Sequence, residues 1–145
     1  MKIDAEKKEK LIRHIQSREG SGREILLSPE RYFEGYEEEH CTICANNQRS
    51  VSTKEFLERL REIARRADVT GIFIRFYEYE DALKAETCWV GSDSVYVVTS
   101  AKSNDVQEWL SDFEPSTVSE ETDVALFDGL PPIPPGFRLV QIWWD

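Results

Sequence analysis

A histidine and two cysteines lie close together in the sequence, at His40, Cys41 and Cys44. Thiolate sulfur and imidazole nitrogen are ligands that zinc prefers, and a thiolate beside a histidine can also act as a nucleophile. Residues three apart on an extended strand point to opposite faces, so Cys41 and Cys44 converge only in a turn. Because Cys88 is distant and no second Cys-x-x-Cys pair follows, we expect structural cysteines and keep a small thiol- or metal-dependent enzyme as the alternative.

The other residues that could act in catalysis match no motif. His14 and His40 are the two histidines of the sequence, and neither has a nucleophile motif nearby. Carboxylates such as Glu78, Glu80 and Asp81 could form an acid and base pair, but such runs are most often a solvated surface. The sequence therefore favours a binding protein, without catalytic residues or a cofactor, over an enzyme.

Acidic residues dominate a long segment near the C-terminus. The protein has 28 Asp and Glu against 18 Lys and Arg, a net charge of -10, and residues 103–137 contain no Lys or Arg. Such a field repels phosphate backbones and attracts basic surfaces, so we predict a basic protein partner and no direct binding of nucleic acid. A surface that is merely solvated would carry the same charges. The candidate docking residues are Asp112, Glu114, Glu120, Glu121 and Asp123.

A second candidate surface consists of aromatic side chains on one face of the predicted sheet. Alternation along two strands gives the members of this aromatic face: Phe73, Arg75, Tyr77, Tyr79 and Tyr96. RNA-recognition domains use such a face, but they combine it with a basic surface and a motif that this sequence lacks. We therefore expect the face to bind a protein, to form a homodimer, or to lie under the N-terminal segment 1–36.

Hydrophobic periodicity and turn residues divide the chain into strands and helices. The clearest helix begins at a capping box formed by Ser52 and Glu55, and its apolar stripe includes Phe56 and Leu60. The predicted order is strand 40–45, helix 53–67, strand 71–79, strand 95–98, helix 104–113 and strand 137–144. This β-α-β-β-α-β order is that of a ferredoxin-like split βαβ domain, an α+β fold with two helices on one face of an antiparallel sheet.

The first residues predict a helix that lies outside this domain. Leu11, Ile12 and Ile15 form a weak helical stripe, and a Gly-Ser-Gly linker follows. We predict a peripheral N-terminal helix and linker over residues 1–22 and a single α+β domain over residues 23–145. The charged N-terminus lacks the apolar stretch of a signal peptide, and the number of cysteines is odd. We therefore expect a cytoplasmic protein that does not enter membranes.

Two segments resemble those of a family of small uncharacterised bacterial proteins. Residues 27–35 read Leu-Ser-Pro-Glu-Arg-Tyr-Phe-Glu-Gly, similar to a Ser-x-Glu-x-Phe-Phe-Glu-Gly segment of that family, and residues 134–145 share its Trp-Trp-Asp ending. This resemblance implies no particular activity. In size, acidity and lack of a catalytic motif, the chain is also similar to the immunity proteins of bacterial toxin systems. Those proteins bind and block toxin domains that are often basic nucleases, so this similarity implies a protein-binding role.

Overall fold

The centre of the fold is a six-stranded sheet, as seen in a computed structural model that describes residues 2–145. Its strands are β1 (Glu24–Leu27), β2 (Val69–Arg75), β3 (Ser94–Thr99), β4 (Thr117–Glu121), β5 (Phe127–Asp128) and β6 (Arg138–Trp143). They lie in the order β4-β6-β3-β2-β1-β5. Neighbouring strands are antiparallel except β1 and β5, which are parallel. Together with the helices described next, this sheet confirms the predicted α+β class.

Helices cover one face of this sheet. They are α1 (Ala5–Gln16), α2 (Pro29–Phe33), α3 (Thr53–Ala64), α4 (Glu80–Lys84) and α5 (Ser103–Trp109). The Ser52 hydroxyl accepts a hydrogen bond from the backbone N–H of Glu55 at 3.0 Å, as the predicted N-cap requires. α3 then buries Phe56, Leu60 and Ile63 against the sheet. None of the helices within residues 2–145 has the length and apolar character needed to cross a membrane.

The N-terminal helix α1 belongs to this helical layer, which differs from the peripheral position that the sequence predicts for residues 1–22. Leu11, Ile12 and Ile15 are buried in the same core as Ile74 and Val97 of the sheet. The stripe on α1 is narrow, but an apolar stripe gains stability only when it packs against another apolar surface. The helix face of the sheet provides that surface.

The predicted first strand is wrong, because residues 43–46 form a turn and His40 makes only an isolated bridge to Ser52. The strand that pairs with β2 on this side of the sheet is instead β1, which lies earlier in the chain and runs antiparallel to β2. The split βαβ order is therefore not confirmed, since β1, β2, β3 and β6 follow one another as antiparallel neighbours within the six-stranded sheet. The last three residues of β1 are all buried, so β1 lacks the alternation that identifies a strand in a sequence.

The reverse face of the sheet, which points away from the helices, is covered by segment 127–137 of the same chain. Phe127 is buried against Tyr96 of β3, and the two ring centroids are 4.9 Å apart. Leu130 and Ile133 pack around the same apolar cluster. Because α1 packs on the opposite face, the N-terminal helix does not provide the cover that the sequence suggested.

Candidate functional site

A groove lies where β4 ends and β6 begins, beside the segment that covers the reverse face. Its volume is about 590 Å³. The residues that line this β4 groove are mainly apolar and include Val124, Leu130, Pro131, Pro132, Ile133, Phe137 and Leu139. Val124 and the nearby Leu126 are 45% and 46% exposed, so apolar surface continues beyond the groove itself. This combination of concave shape and exposed apolar side chains is typical of a binding site.

Two carboxylates, of Glu120 and Glu121, and one cation, of Arg138, also line the β4 groove. Glu120 Oε1 is 3.6 Å from Arg138 Nε, and both side chains remain partly exposed to solvent. Neither Glu121 nor Asp123 forms an ion pair with any residue in the described range 2–145. The groove therefore combines mainly apolar side chains with two carboxylates, and that of Glu120 is partly neutralised by Arg138. Asp123 lies next to the groove in sequence, between the lining residues Thr122 and Val124.

Two of the five predicted acidic docking residues lie elsewhere, beside α3. Arg59 donates two hydrogen bonds to the Asp112 carboxylate, at 2.7 and 2.8 Å, and Glu114 accepts one from the backbone N–H of Arg49 at 3.1 Å. The hydrogen bonds from Arg59 lower the pKa of Asp112. The predicted acidic surface is thus divided: Glu120 and Glu121 line the β4 groove, and Asp123 lies beside the groove in sequence.

The ion pair between Arg59 and Asp112 is expected to make folding sensitive to acid. Because the pKa of Asp112 is lowered in the folded state, its stabilising effect is present above the unfolded pKa of about 3.9. That effect is lost as the pH falls through the folded pKa. The pair is partly exposed, so we expect Asp112→Asn to lower the unfolding free energy at pH 7 by about 0.5 to 1 kcal/mol.

Urea unfolding between neutral pH and about pH 3 measures this effect, and the difference between Asp112→Asn and the unsubstituted protein is expected to shrink below about pH 4. Glu108→Gln is the matched control, because Glu108 is an exposed carboxylate on α5 that forms no ion pair within residues 2–145. A difference for Asp112→Asn that stays constant with pH would contradict the assigned role of its charge.

The five residues predicted to form the aromatic face do not share one open surface. Tyr96 is 3% exposed, and Phe73 packs against the same reverse-face cluster. Arg75 is held in ion pairs, whereas Tyr79 packs against the helix-side core. Tyr77 lies beyond the end of β2 and is 63% exposed. A continuous stacking platform is therefore absent from these five residues.

The turn after α2 brings Cys41 and Cys44 together. Both are buried, free thiols that share a hydrogen bond. That hydrogen bond and burial both raise the pKa of Cys44. Burial also acts to raise the pKa of Cys41, but the hydrogen bond with Cys44 acts in the opposite direction, and the pKa of Cys41 is lowered overall. His40 is exposed and contacts the Ser50 hydroxyl at 3.3 Å. Across residues 2–145, no three His, Cys, Asp or Glu side chains are grouped to hold a metal ion, so this region gives no support to the enzyme alternative.

Glu120 and Glu121 of the groove were predicted from the sequence, but its apolar residues were not. Val124, Leu130, Ile133 and Phe137 are separated by Pro, Gly and Asp and follow neither a helical nor a strand period. The signal that could have indicated them is the presence of large apolar residues in a segment rich in turn residues. Such residues pack against a core or form an exposed apolar patch, and here they do both.

Comparison with known proteins identifies relatives for most of the chain. The model of the family described as "Uncharacterized protein YfbO family" matches residues 6–142. The uncharacterised protein YfbO of Escherichia coli (strain K12) is 26% identical over 107 residues, which is 73% of this chain and 73% of that protein. No solved structure matches the chain. The resemblance to an uncharacterised bacterial family is thereby confirmed, and the chain belongs to the uncharacterised YfbO family.

Proposed function

We propose that this protein is a binding module that holds a basic segment of a partner protein at the β4 groove. The observation that carries the proposal is a mainly apolar groove of about 590 Å³ that is also lined by Glu120 and Glu121. Sites of this volume accommodate a few side chains of a partner rather than a whole element of structure. An apolar anchor side chain in the groove would supply affinity, and the carboxylates would favour cationic residues beside it.

The distribution of charge supports a basic partner. The net charge is -10, and the segment 103–137, which includes most of the groove, has no Lys or Arg. Glu121 and Asp123 form no ion pair within residues 2–145, so a partner can approach them without first displacing an internal cation. A field of this sign accelerates the association of a cationic protein in a salt-dependent way.

We further propose that the protein is cytoplasmic and that its binding role is immunity-like. The three cysteines are free, which suits a reducing compartment. An immunity-like protein would bind and block a basic toxin domain, and an acidic groove would serve that purpose. The immunity-like role is tested by measuring whether this protein binds a basic toxin nuclease that is encoded beside its own gene.

The test compares two variants that lose the same number of charges. The groove variant combines Glu120→Gln, Glu121→Gln and Asp123→Asn. The control variant combines Glu37→Gln, Glu38→Gln and Glu39→Gln, in the acidic loop after α2. A partner captured from bacterial lysate at low salt is identified by mass spectrometry, purified, and titrated against the three proteins by calorimetry.

We expect the groove variant to bind this partner at least about 10-fold more weakly, equivalent to about 1.4 kcal/mol, while the control variant binds within about 2-fold of the unsubstituted protein. Affinity is also expected to fall between about 50 and about 300 mM salt, because the partly exposed carboxylates are screened. Equal losses in both variants would show that only overall charge matters. No loss in the groove variant would refute the assignment of the groove.

A further inference from the structure

We infer that the partner segment binds in an extended conformation, as an additional strand at the outer edge of β4. This inference rests on the proposed function and concerns its mode of recognition. In such β-strand addition, backbone hydrogen bonds provide affinity and alternate side chains provide specificity. Three features of the structure lead to it: the unpaired edge of β4, the sign of its charges, and the position of the groove.

β4 has a strand partner on one side only. Its five residues form a regular antiparallel register with β6, from Thr117 opposite Trp143 to Glu121 opposite Leu139. On the other side, neither a strand nor a side chain within residues 2–145 hydrogen-bonds to the β4 backbone. The N–H and C=O groups on that edge are therefore available to another chain.

The opposite edge of the sheet offers no comparable site. That edge is β5, which consists of Phe127 and Asp128 alone. Two residues supply too few backbone hydrogen bonds to hold an added strand, since strands in proteins are usually at least three residues long. Phe127 is also buried in the reverse-face cluster. β4 is thus the longer of the two edges of the sheet described by residues 2–145.

The protection of β4 against unwanted pairing is selective. Exposed edges are usually protected by proline, lysine, a β-bulge or a covering element. β4 contains no proline or lysine, and its register with β6 has no irregularity. Its charged residues are Glu120 and Glu121, which repel acidic strands but attract basic ones. The edge is therefore open to a cationic segment.

The same charges disfavour a second copy of this chain. If two β4 strands paired antiparallel about Ser119, Glu120 of each would face Val118 of the other and Glu121 would face Thr117. The Glu120 side chains of the two copies would then be diagonal neighbours on one face of the ladder, within reach of each other, and their like charges would repel. A basic segment in the same place brings opposite charges together instead.

The groove adjoins the end of this edge. Glu120, Glu121 and Thr122 line the β4 groove, so a segment that follows β4 reaches the groove at its end. An apolar side chain there can contact Val124 and Ile133, which also line the groove. We therefore expect the partner segment to combine Lys or Arg residues, placed opposite the two glutamates, with an apolar residue next to them.

A defined peptide tests this inference directly. The probe is acetyl-Lys-Val-Thr-Lys-Arg-Leu-amide, whose adjacent Lys and Arg can face the two consecutive glutamates, and its matched control is the same peptide N-methylated at every backbone nitrogen. The control keeps the charges and side chains but cannot donate the hydrogen bonds of a β-ladder. Each peptide is titrated, up to about 1 mM, into the full-length 15N-labelled protein, while NMR follows chemical shifts and amide hydrogen exchange.

With the probe, we expect the amide signals of Thr117–Glu121 to shift and at least one outward-facing amide to exchange about 10-fold more slowly, because it becomes hydrogen-bonded. The N-methylated peptide is expected to bind at least about 10-fold more weakly. The variant that combines Glu120→Gln and Glu121→Gln is expected to weaken binding of the probe to a similar extent.

The outcomes separate this inference from the proposed function. If the N-methylated peptide binds as well as the probe but both still require the two glutamates, strand addition is wrong and the acidic groove remains a binding site. If the glutamate variant binds the probe unchanged, the proposed function fails as well. Absence of probe binding at about 1 mM would refute the edge as a basic-strand site. Protection of the β4 amides in a homodimer without the probe would assign the edge to a second copy.

Discussion

Replacing Phe113 with alanine is expected to lower the free energy of unfolding by about 4 kcal/mol. The Phe113 ring is fully buried and stacks on Phe56, with ring centroids 5.6 Å apart. The Arg59 guanidinium also lies over the Phe113 ring, 4.5 Å from its centroid, and that of Arg49 is 5.5 Å from the same centroid. The substitution therefore removes a large apolar side chain, leaves a cavity, and deprives two arginines of a cation–π contact.

Urea unfolding at pH 7, followed by tryptophan fluorescence, measures the loss. Phe137→Ala is the matched control, since Phe137 is only partly buried, at the border of the reverse-face cluster, and we expect it to cost about 1 to 2 kcal/mol. A loss for Phe113→Ala no larger than that of the control would show that the site collapses around the missing ring. Arg59 contacts both this ring and the Asp112 carboxylate, so we expect the acid sensitivity of folding to change in the same variant.

Elements with strong local patterns were predictable from the sequence. Helix 53–67 was found from its capping box and stripe, and the structure shortens it only to Ala64. Strand 95–98 and strand 137–144 were found from their β-branched and aromatic residues, and both lie in the sheet as β3 and β6. These patterns arise within one element and need no knowledge of its neighbours.

Strands that are buried on both faces, or that are mostly polar and lie at an edge, were not predictable in this way. β1 is buried on both faces and β4 is mostly polar along an edge, so neither shows the alternation of a half-buried strand. The parallel pairing of Glu24 with Phe127 joins parts of the chain that are far apart in sequence. The strand order of the sheet follows from such pairings, and single-sequence periodicity contains no information about them.

The candidate site was likewise predictable from the sequence only in part. The absence of Lys and Arg between residues 103 and 137 was visible in the sequence, and two of the carboxylates predicted from it, Glu120 and Glu121, line the groove. The neutralisation of Asp112 by Arg59 was not visible, because the two residues belong to different helical segments that meet only in the fold. Counting charges along a chain therefore overestimates the acidic surface that a partner meets.

Lys8→Met is expected to lower the free energy of unfolding by about 3 kcal/mol, because it removes a buried ammonium that fixes α4 to α1. Lys8 Nζ donates hydrogen bonds to the carbonyl oxygens of Ala82, Ala85 and Cys88, at 2.8, 3.1 and 3.1 Å. Methionine has a similar length and shape but donates no hydrogen bond, so three carbonyls at the end of α4 lose their charged partner.

The position of Lys8 on α1 explains why its side chain is buried. Lys8 precedes Leu11, Ile12 and Ile15 at helical spacing, so it lies on the buried stripe of α1 where an apolar residue would be expected. Lys10→Met is the matched control, because Lys10 is exposed and lies 3.9 Å from Glu34, and we expect it to cost less than about 0.5 kcal/mol. Both are compared by urea unfolding at pH 7. If the two variants were equally stable, the three hydrogen bonds would contribute nothing net, and apolar packing alone would hold α4 against α1.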